Sequence, residues 1–183
     1  PEWLEDKIGS AGRLFWELAH GIDRRVVEPE HERKSLGREE TFPEDINDIA
    51  YLEKLIVQFA AELCRKLRRA ELLAGSITIK LRYSNFKTIT RSKTITPCNS
   101  DIIVTQVASE LLYHSYNNKN PLRLFGLSLG HLSPVTSLQQ GNLFEPQLNA
   151  DYKNIDQLMD EIRDRFGPGA INRANLLPYK DSE

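Results

Sequence analysis

The chain has 183 residues, 40% of them apolar and 27% charged, with a net charge of −2, the make-up of one globular domain or of a domain with appendages. Two cysteines far apart, Cys64 and Cys98, exclude a disulfide framework and a CxxC-type zinc site, and point to a reducing, cytoplasmic setting. No apolar run reaches the roughly 20 residues of a membrane span.

Pro1 opens directly into helical sequence without an initiating Met, so a C-terminal piece of something larger is expected. Residues 3–20 read as a helical piece interrupted at Gly9 and Gly12, with Leu14, Phe15, Leu18 and Ala19 in helical spacing and Gly21 as a stop. Polar residues around Pro29 suit an extended linker over 22–33. A strand follows in "RKSLGREETF", with Leu36 and Phe42 on one parity and Ser35, Gly37 and Thr41 on the other. "PED" opens a long amphipathic helix over 44–73, carrying Ile46, Ile49, Leu52, Ile56, Phe59, Leu63 and Leu67. Its basic end, "RKLRR" at 65–69, complements the negative pole of the helix dipole, and Cys64 falls beside the apolar stripe as a small core residue.

Ile77, Ile79, Leu81 and Tyr83 then alternate with Thr78, Lys80, Arg82 and Ser84, the pattern of a half-buried strand. Ser84-Asn85 supplies a turn. The returning strand places Thr88, Thr90, Ser92 and Thr94 on one parity, while Arg91 and Lys93 fall in step with Ile89 and Ile95. Either a bulge re-aims the two cations or this strand lies at an edge. A second helix is expected over 101–116 with Ile103, Val107 and Leu111 in register, and a last strand over 121–132 with close-approach glycines Gly126 and Gly130. The order strand–helix–strand–strand–helix–strand gives an α+β domain: a four-stranded antiparallel sheet with two helices on one face, burying Leu36, Ile77, Ile79, Leu81, Ile89 and Leu124. A Gln/Asn/Pro-rich linker over 133–150 leads to a short helix, 154–166, that stops at "GPG". The carboxylates of "MDEIRD" at 159–164 read as a solvated helix face.

Charge is unevenly divided along this order. Residues 1–23 hold two Lys/Arg against five Asp/Glu, 24–132 hold 17 against 13, and 133–183 hold five against eight. The middle block suits a polyanion. The stretch "LRYSNFKTITRSKTIT", 81–96, carries cations and hydroxyls with no acid. A sheet face of Ser, Thr, Gly, Lys and Arg can donate to phosphate oxygens, or it can be an ordinary solvated face with edge-guarding lysines. It lacks the aromatics on which single-stranded bases stack. His20, His31, His114 and His131 have no ligand spacing, and Gly9-Ser10-Ala11-Gly12 reads as a tight turn between helices.

The Gly-Ile-Asp joint at 21–23, the strand pattern "RKS-x-G-x-E-x-TF" at 33–42, the "T-x-TRS" hairpin at 88–92 and "PLRLFGLSLGHL" at 121–132 resemble, in that order, the Y-family (DinB-type) translesion DNA polymerases. The resemblance implies that 1–23 ends the thumb, 24–33 is the linker, 34–132 is the little finger and 133–183 a tail. The little finger would lay its sheet in the major groove of double-stranded primer–template DNA. The family pattern gives Lys34, Ser35, Gly37, Thr41, Thr88, Thr90, Arg91 and Ser92 as backbone contacts; strand parity and charge add Lys80, Arg82 and Lys93. The family's palm carboxylates, which hold two magnesium ions in the parent enzyme, have no counterpart here, so no catalytic residue, metal ligand or cofactor is assigned to this chain. "QQGNLF" at 139–144 resembles the sliding-clamp-binding peptide of bacterial polymerases. Gln140 would bond the rim of an apolar pocket, and Leu143 and Phe144 would fill it. In the family this peptide often ends the chain, whereas here about 39 residues follow. A monomer is expected. The competing reading is a protein-interaction module that recruits repair factors without a direct role on DNA.

Overall fold

The computed structural model describes residues 1–28, 33–116, 119–136, 148–167 and 169–173, with the backbone alone at 148–153. The elements in chain order are α1 (Glu2–Ile8), α2 (Ala11–Ala19), β1 (Ser35–Ile46), α3 (Ile49–Arg69), β2 (Leu72–Tyr83), β3 (Thr88–Cys98), α4 (Asp101–Ser115), β4 (Leu122–Pro134) and α5 (Leu148–Phe166). They fall into two compact units, Pro1–Glu32 and Arg33–Glu183.

The first unit is the helical hairpin α1–α2. The chain breaks at Gly9, whose φ of 70° is left-handed. Gly12 is no break: it lies inside α2, where a Cβ would overlap the Leu4 carbonyl of α1. Its missing side chain is what lets the two backbones meet.

The second unit is the expected α+β sheet, with strand order β1-β4-β2-β3 and antiparallel pairing throughout. Helices α3 and α4 cover one face. Leu52, Ile56, Phe59, Leu63 and Leu67 of α3, with Val104, Ala108 and Leu112 of α4, close over Ile77, Ile79, Leu81, Phe125, Leu127 and Leu129. Leu36 and Ile89 pack at the margins of this core.

Four details depart from expectation. Strand β1 continues past Pro43 to Ile46, with its register to β4 broken between Thr41 and Ile46; Pro at an edge strand tolerates this because no ladder N–H is lost inside the sheet. Helix α3 begins only at Ile49, where the Asp48 carboxylate accepts the Tyr51 N–H at 3.2 Å. On α4 the buried stripe runs through Val104, Val107, Ala108 and Leu112, leaving Ile103 and Leu111 at its edges; its apolar residues cover about half the helix, so which of them face inward depends on where the sheet lies. Leu124 is buried but belongs to the other side of the sheet, in register with Thr41 and Arg82.

Helix α5 docks with inverted polarity. Its acids meet the arginines of α3: Arg68 donates to Asp160 at 2.6 Å, and also to Asp101 at the start of α4 at 2.8 Å, while Arg65 and Arg69 both hold Asp164. The Asp101 N–H donates to Asp156 at 3.1 Å, and Arg173 closes the set on Asp156 at 2.7 Å. Asp101 and Asp156 are each 1% exposed. Burial raises the Asp101 pKa against the pull of Arg68. Burial opposes the Arg68 charge as well, yet its bonds to Asp160 and Asp101 hold its pKa above the ordinary value. Meanwhile Ile155, Leu158 and Phe166 stay exposed. Thus two of the "MDEIRD" carboxylates are ion-paired: Asp160 turns inward, away from solvent, while Asp164 stays solvent-exposed beside its arginines.

Candidate nucleic-acid interface

Strand periodicity builds the face opposite the helices. Successive side chains of a strand point to alternate sides, so burying Ile77, Ile79 and Leu81 sends Ser76, Thr78, Lys80 and Arg82 outward. The pairing register then assembles four rows across four strands: Ser35–Gly130–Ser76–Thr94, Gly37–Ser128–Thr78–Ser92, Glu39–Gly126–Lys80–Thr90 and Thr41–Leu124–Arg82–Thr88. Apart from Leu124, every position is small, hydroxylic or charged.

Most of the expected contact residues meet here. Ser35, Gly37, Thr41, Thr88, Thr90 and Ser92 are exposed on this face, Lys80 and Arg82 are half-buried on it, and Lys34 is exposed just before β1. Neighbouring strands already exchange hydrogen bonds. The Thr78 hydroxyl donates to Ser92 at 2.9 Å, and Arg82 Nε donates to the Thr88 hydroxyl at 3.0 Å. These bonds fix rotamers while leaving the guanidinium its other donors.

Arg91 and Lys93 lie elsewhere. The β2–β3 register runs unbroken from Ser76↔Thr94 to Arg82↔Thr88, so no bulge re-aims them, and β3 is an edge strand. They stand opposite Ile79 and Ile77, on the helix side. Lys93 donates to Glu110 of α4 at 2.6 Å and Arg91 to the Thr90 carbonyl at 2.9 Å. The bond from Lys93 also holds the Glu110 carboxyl below its usual range. On an edge strand such cations discourage pairing with another sheet.

Sequence reasoning placed Thr78 on this face with Lys80 and Arg82, but it did not single out Glu39, Ser76 or Ser128 as parts of it. Glu39 shares the parity of Ser35, Gly37 and Thr41, which was sufficient signal. Its carboxylate takes Lys80 Nζ at 2.9 and 3.0 Å. The three rows at and beside this pair therefore carry Lys80 and Arg82 against one acid, a weaker positive surface than the count of cations in the hairpin implies.

Cys64 is buried, and burial raises its thiol pKa well above the ordinary value, as suits an inert core residue. Among the described residues no cluster of His, Cys, Asp and Glu could hold a metal ion, and no helix is long and apolar enough to cross a membrane. Gln140, Leu143 and Phe144 lie outside the described residues.

Comparison with known proteins locates this arrangement. Residues 33–143 match the impB/mucB/samB family C-terminal domain. The DNA polymerase IV of Desulfatibacillum aliphaticivorans is 30% identical over 178 residues, 96% of this chain and 45% of that protein. That of Alkalilimnicola ehrlichii is 35% identical over 140 residues, 76% of this chain and 39% of the relative. A Listeria monocytogenes DNA polymerase IV is 33% identical over 136 residues, 73% of this chain and 38% of the relative. The chain thus spans less than half the length of these curated relatives. Matched over the whole of its sheet by the family model, the chain belongs to the impB/mucB/samB family and corresponds to the C-terminal part of a Y-family DNA polymerase.

Proposed function

We propose that the sheet domain grips the phosphate backbone of duplex primer–template DNA without reading its sequence, and that the tail tethers the parent enzyme to a sliding clamp during lesion bypass in the cytoplasm. The observation that carries the first half is the open sheet face. Of its sixteen positions in four rows, twelve are hydroxyls or glycines, set around Lys80 and Arg82 with Glu39 and Leu124 as the remaining two. Hydroxyls and cations position a protein on phosphates and carry no base information. The parent is a DNA-directed DNA polymerase whose magnesium ions sit on another domain, and this chain alone does not transfer nucleotides. Tethering matters because joining a weak DNA grip to a clamp raises the effective concentration at the primer end.

The test is fluorescence anisotropy of this chain on a labelled primer–template duplex across a salt series. Affinity should fall linearly on a log–log plot with a slope of several phosphates, and Arg82→Ala should lower affinity and reduce the slope by about one. Lys93→Ala, a change on the helix side, should do less. No binding at low salt rejects the reading. For the tail, Leu143→Ala combined with Phe144→Ala should abolish capture by a bacterial sliding clamp; an undiminished affinity in titration removes the clamp from the picture.

A further inference from the structure

The third row of the open face holds an acid where a phosphate-gripping surface has least use for one. Glu39 is on β1 and Lys80 on β2, with β4 between them, so their backbones are two strand spacings apart, roughly 10 Å. They nevertheless form a two-pronged ion pair, Lys80 Nζ lying 2.9 Å from one Glu39 oxygen and 3.0 Å from the other. The pair spans β4 at Gly126. A Cβ built there would come within 2.8 Å of Glu39 Cγ and 3.4 Å of its carboxyl carbon, so the carboxylate occupies the seat that a side chain at 126 would take. This is the middle of the sheet face and not its rim. The side chains remain reachable from solvent, at 30% exposure for Lys80 and 48% for Glu39.

Resting on the duplex-binding reading above, we infer that Glu39 is a built-in phosphate surrogate: it occupies Lys80 in the free protein and must yield it to the DNA backbone, which sets the grip of this face below its attainable strength. Carboxylate and phosphate oxygens take the same charge-assisted hydrogen bonds from an ammonium group, and the donors of Lys80 that face outward over Gly126 are turned to Glu39. Duplex binding therefore exchanges one anion for another at Lys80 while bringing the displaced carboxylate near a phosphate. Among the described residues Arg82 has no such competitor: its partner, in the row beside that of Lys80, is a neutral hydroxyl, Thr88 Oγ1 at 3.0 Å. A moderated grip suits a domain that must track along a duplex, because each step requires contacts to be released.

The experiment is the same anisotropy salt series on wild type, Glu39→Gln, Lys80→Ala and the double variant, with thermal melting of each as a control for folding. Glu39→Gln should bind the duplex about three- to fivefold more tightly at low salt and steepen the salt slope by about one. The gain should vanish when Lys80→Ala is added, because the freed cation is its source. Equal or weaker binding by Glu39→Gln than by wild type, with wild type binding normally, overturns the surrogate role and makes Glu39 a bystander or a positioning residue for Lys80. A gain that survives Lys80→Ala overturns it as well, assigning the effect to general repulsion. Failure of wild type and Glu39→Gln alike to bind at low salt removes the duplex-binding reading, and this inference with it.

Discussion

Arg68 shows how much a single side chain can be asked to do. Its side chain is 9% exposed, and its head group faces Asp101, Asp156 and Asp160 from two helices while donating to the Asn99 carbonyl at 2.8 Å. Water cannot solvate those acids if the arginine is removed, and Asp101 already suffers from burial. Arg68→Ala should therefore destabilise the second unit by about 3–5 kcal/mol, measured by urea unfolding. Arg68→Met, which fills the space but leaves Asp101 and Asp160 without their hydrogen-bonded cation, should not rescue it; full rescue would mean that volume and not charge is what the site needs. In the sequence this residue reads only as part of a basic helix end. Its partners lie 33 and 92 positions away, and local spacing contains no trace of contacts that distant.

At the scale of elements, α5 is held in a way that makes it separable. Its inner face is ionic, with Met159 as the buried apolar residue among those described between 154 and 166. The bonds from Arg65 and Arg69 lower the Asp164 pKa. An acid depressed in the folded state contributes stability that is present above its unfolded value, about 3.9, and is lost as pH falls through its folded value. Protection of the amides over 154–166, with rates corrected for the slower intrinsic exchange in acid, should consequently fall on acidification below about pH 4, while α3 and β2 stay protected. Asp164→Asn should weaken docking at neutral pH and flatten that acid response. Molar salt, whose screening length is about 3 Å, should loosen the exposed Arg69–Asp164 contact before the buried set around Arg68. Uniform exchange across α5 and the sheet at every pH would show that the helix does not open on its own. None of this was legible in advance, because a helix whose apolar stripe faces outward looks like any amphipathic helix until its neighbours are known.

The legible elements were those whose period has one reading. Strand β2 alternates without exception from Ile77 to Arg82, and its two faces came out as expected. Ile46 misled because it stands three residues before Ile49 and so extends the helical rhythm backwards into what is strand. Leu124 misled for the opposite reason: β4 puts Leu122 and Leu124 on one parity and Phe125 on the other, so alternation could not assign it a side.

For the whole molecule, the division at Arg33 separates a short helical hairpin from a sheet with its own core. A chain beginning at Arg33 should keep the melting temperature of the second unit within about 2 °C, since no core residue is lost. A larger drop would reveal support from the hairpin. The duplex affinity of that shorter chain should likewise match that of the full 183 residues, because the four rows are complete without it.

Alternation along the strands also has a consequence for how this domain can change over generations. Residues that fill the core and residues that meet solvent on the open face occupy different parities of the same four strands. A substitution at Thr78, Thr90 or Ser92 alters the outer surface without touching a side chain that the helices pack against. Selection can thus retune one property while drift in the other is held still, and neither set of positions has to wait for compensating changes in its neighbour. Relatives of this chain are free to diverge in how tightly they hold their partner long before they diverge in shape.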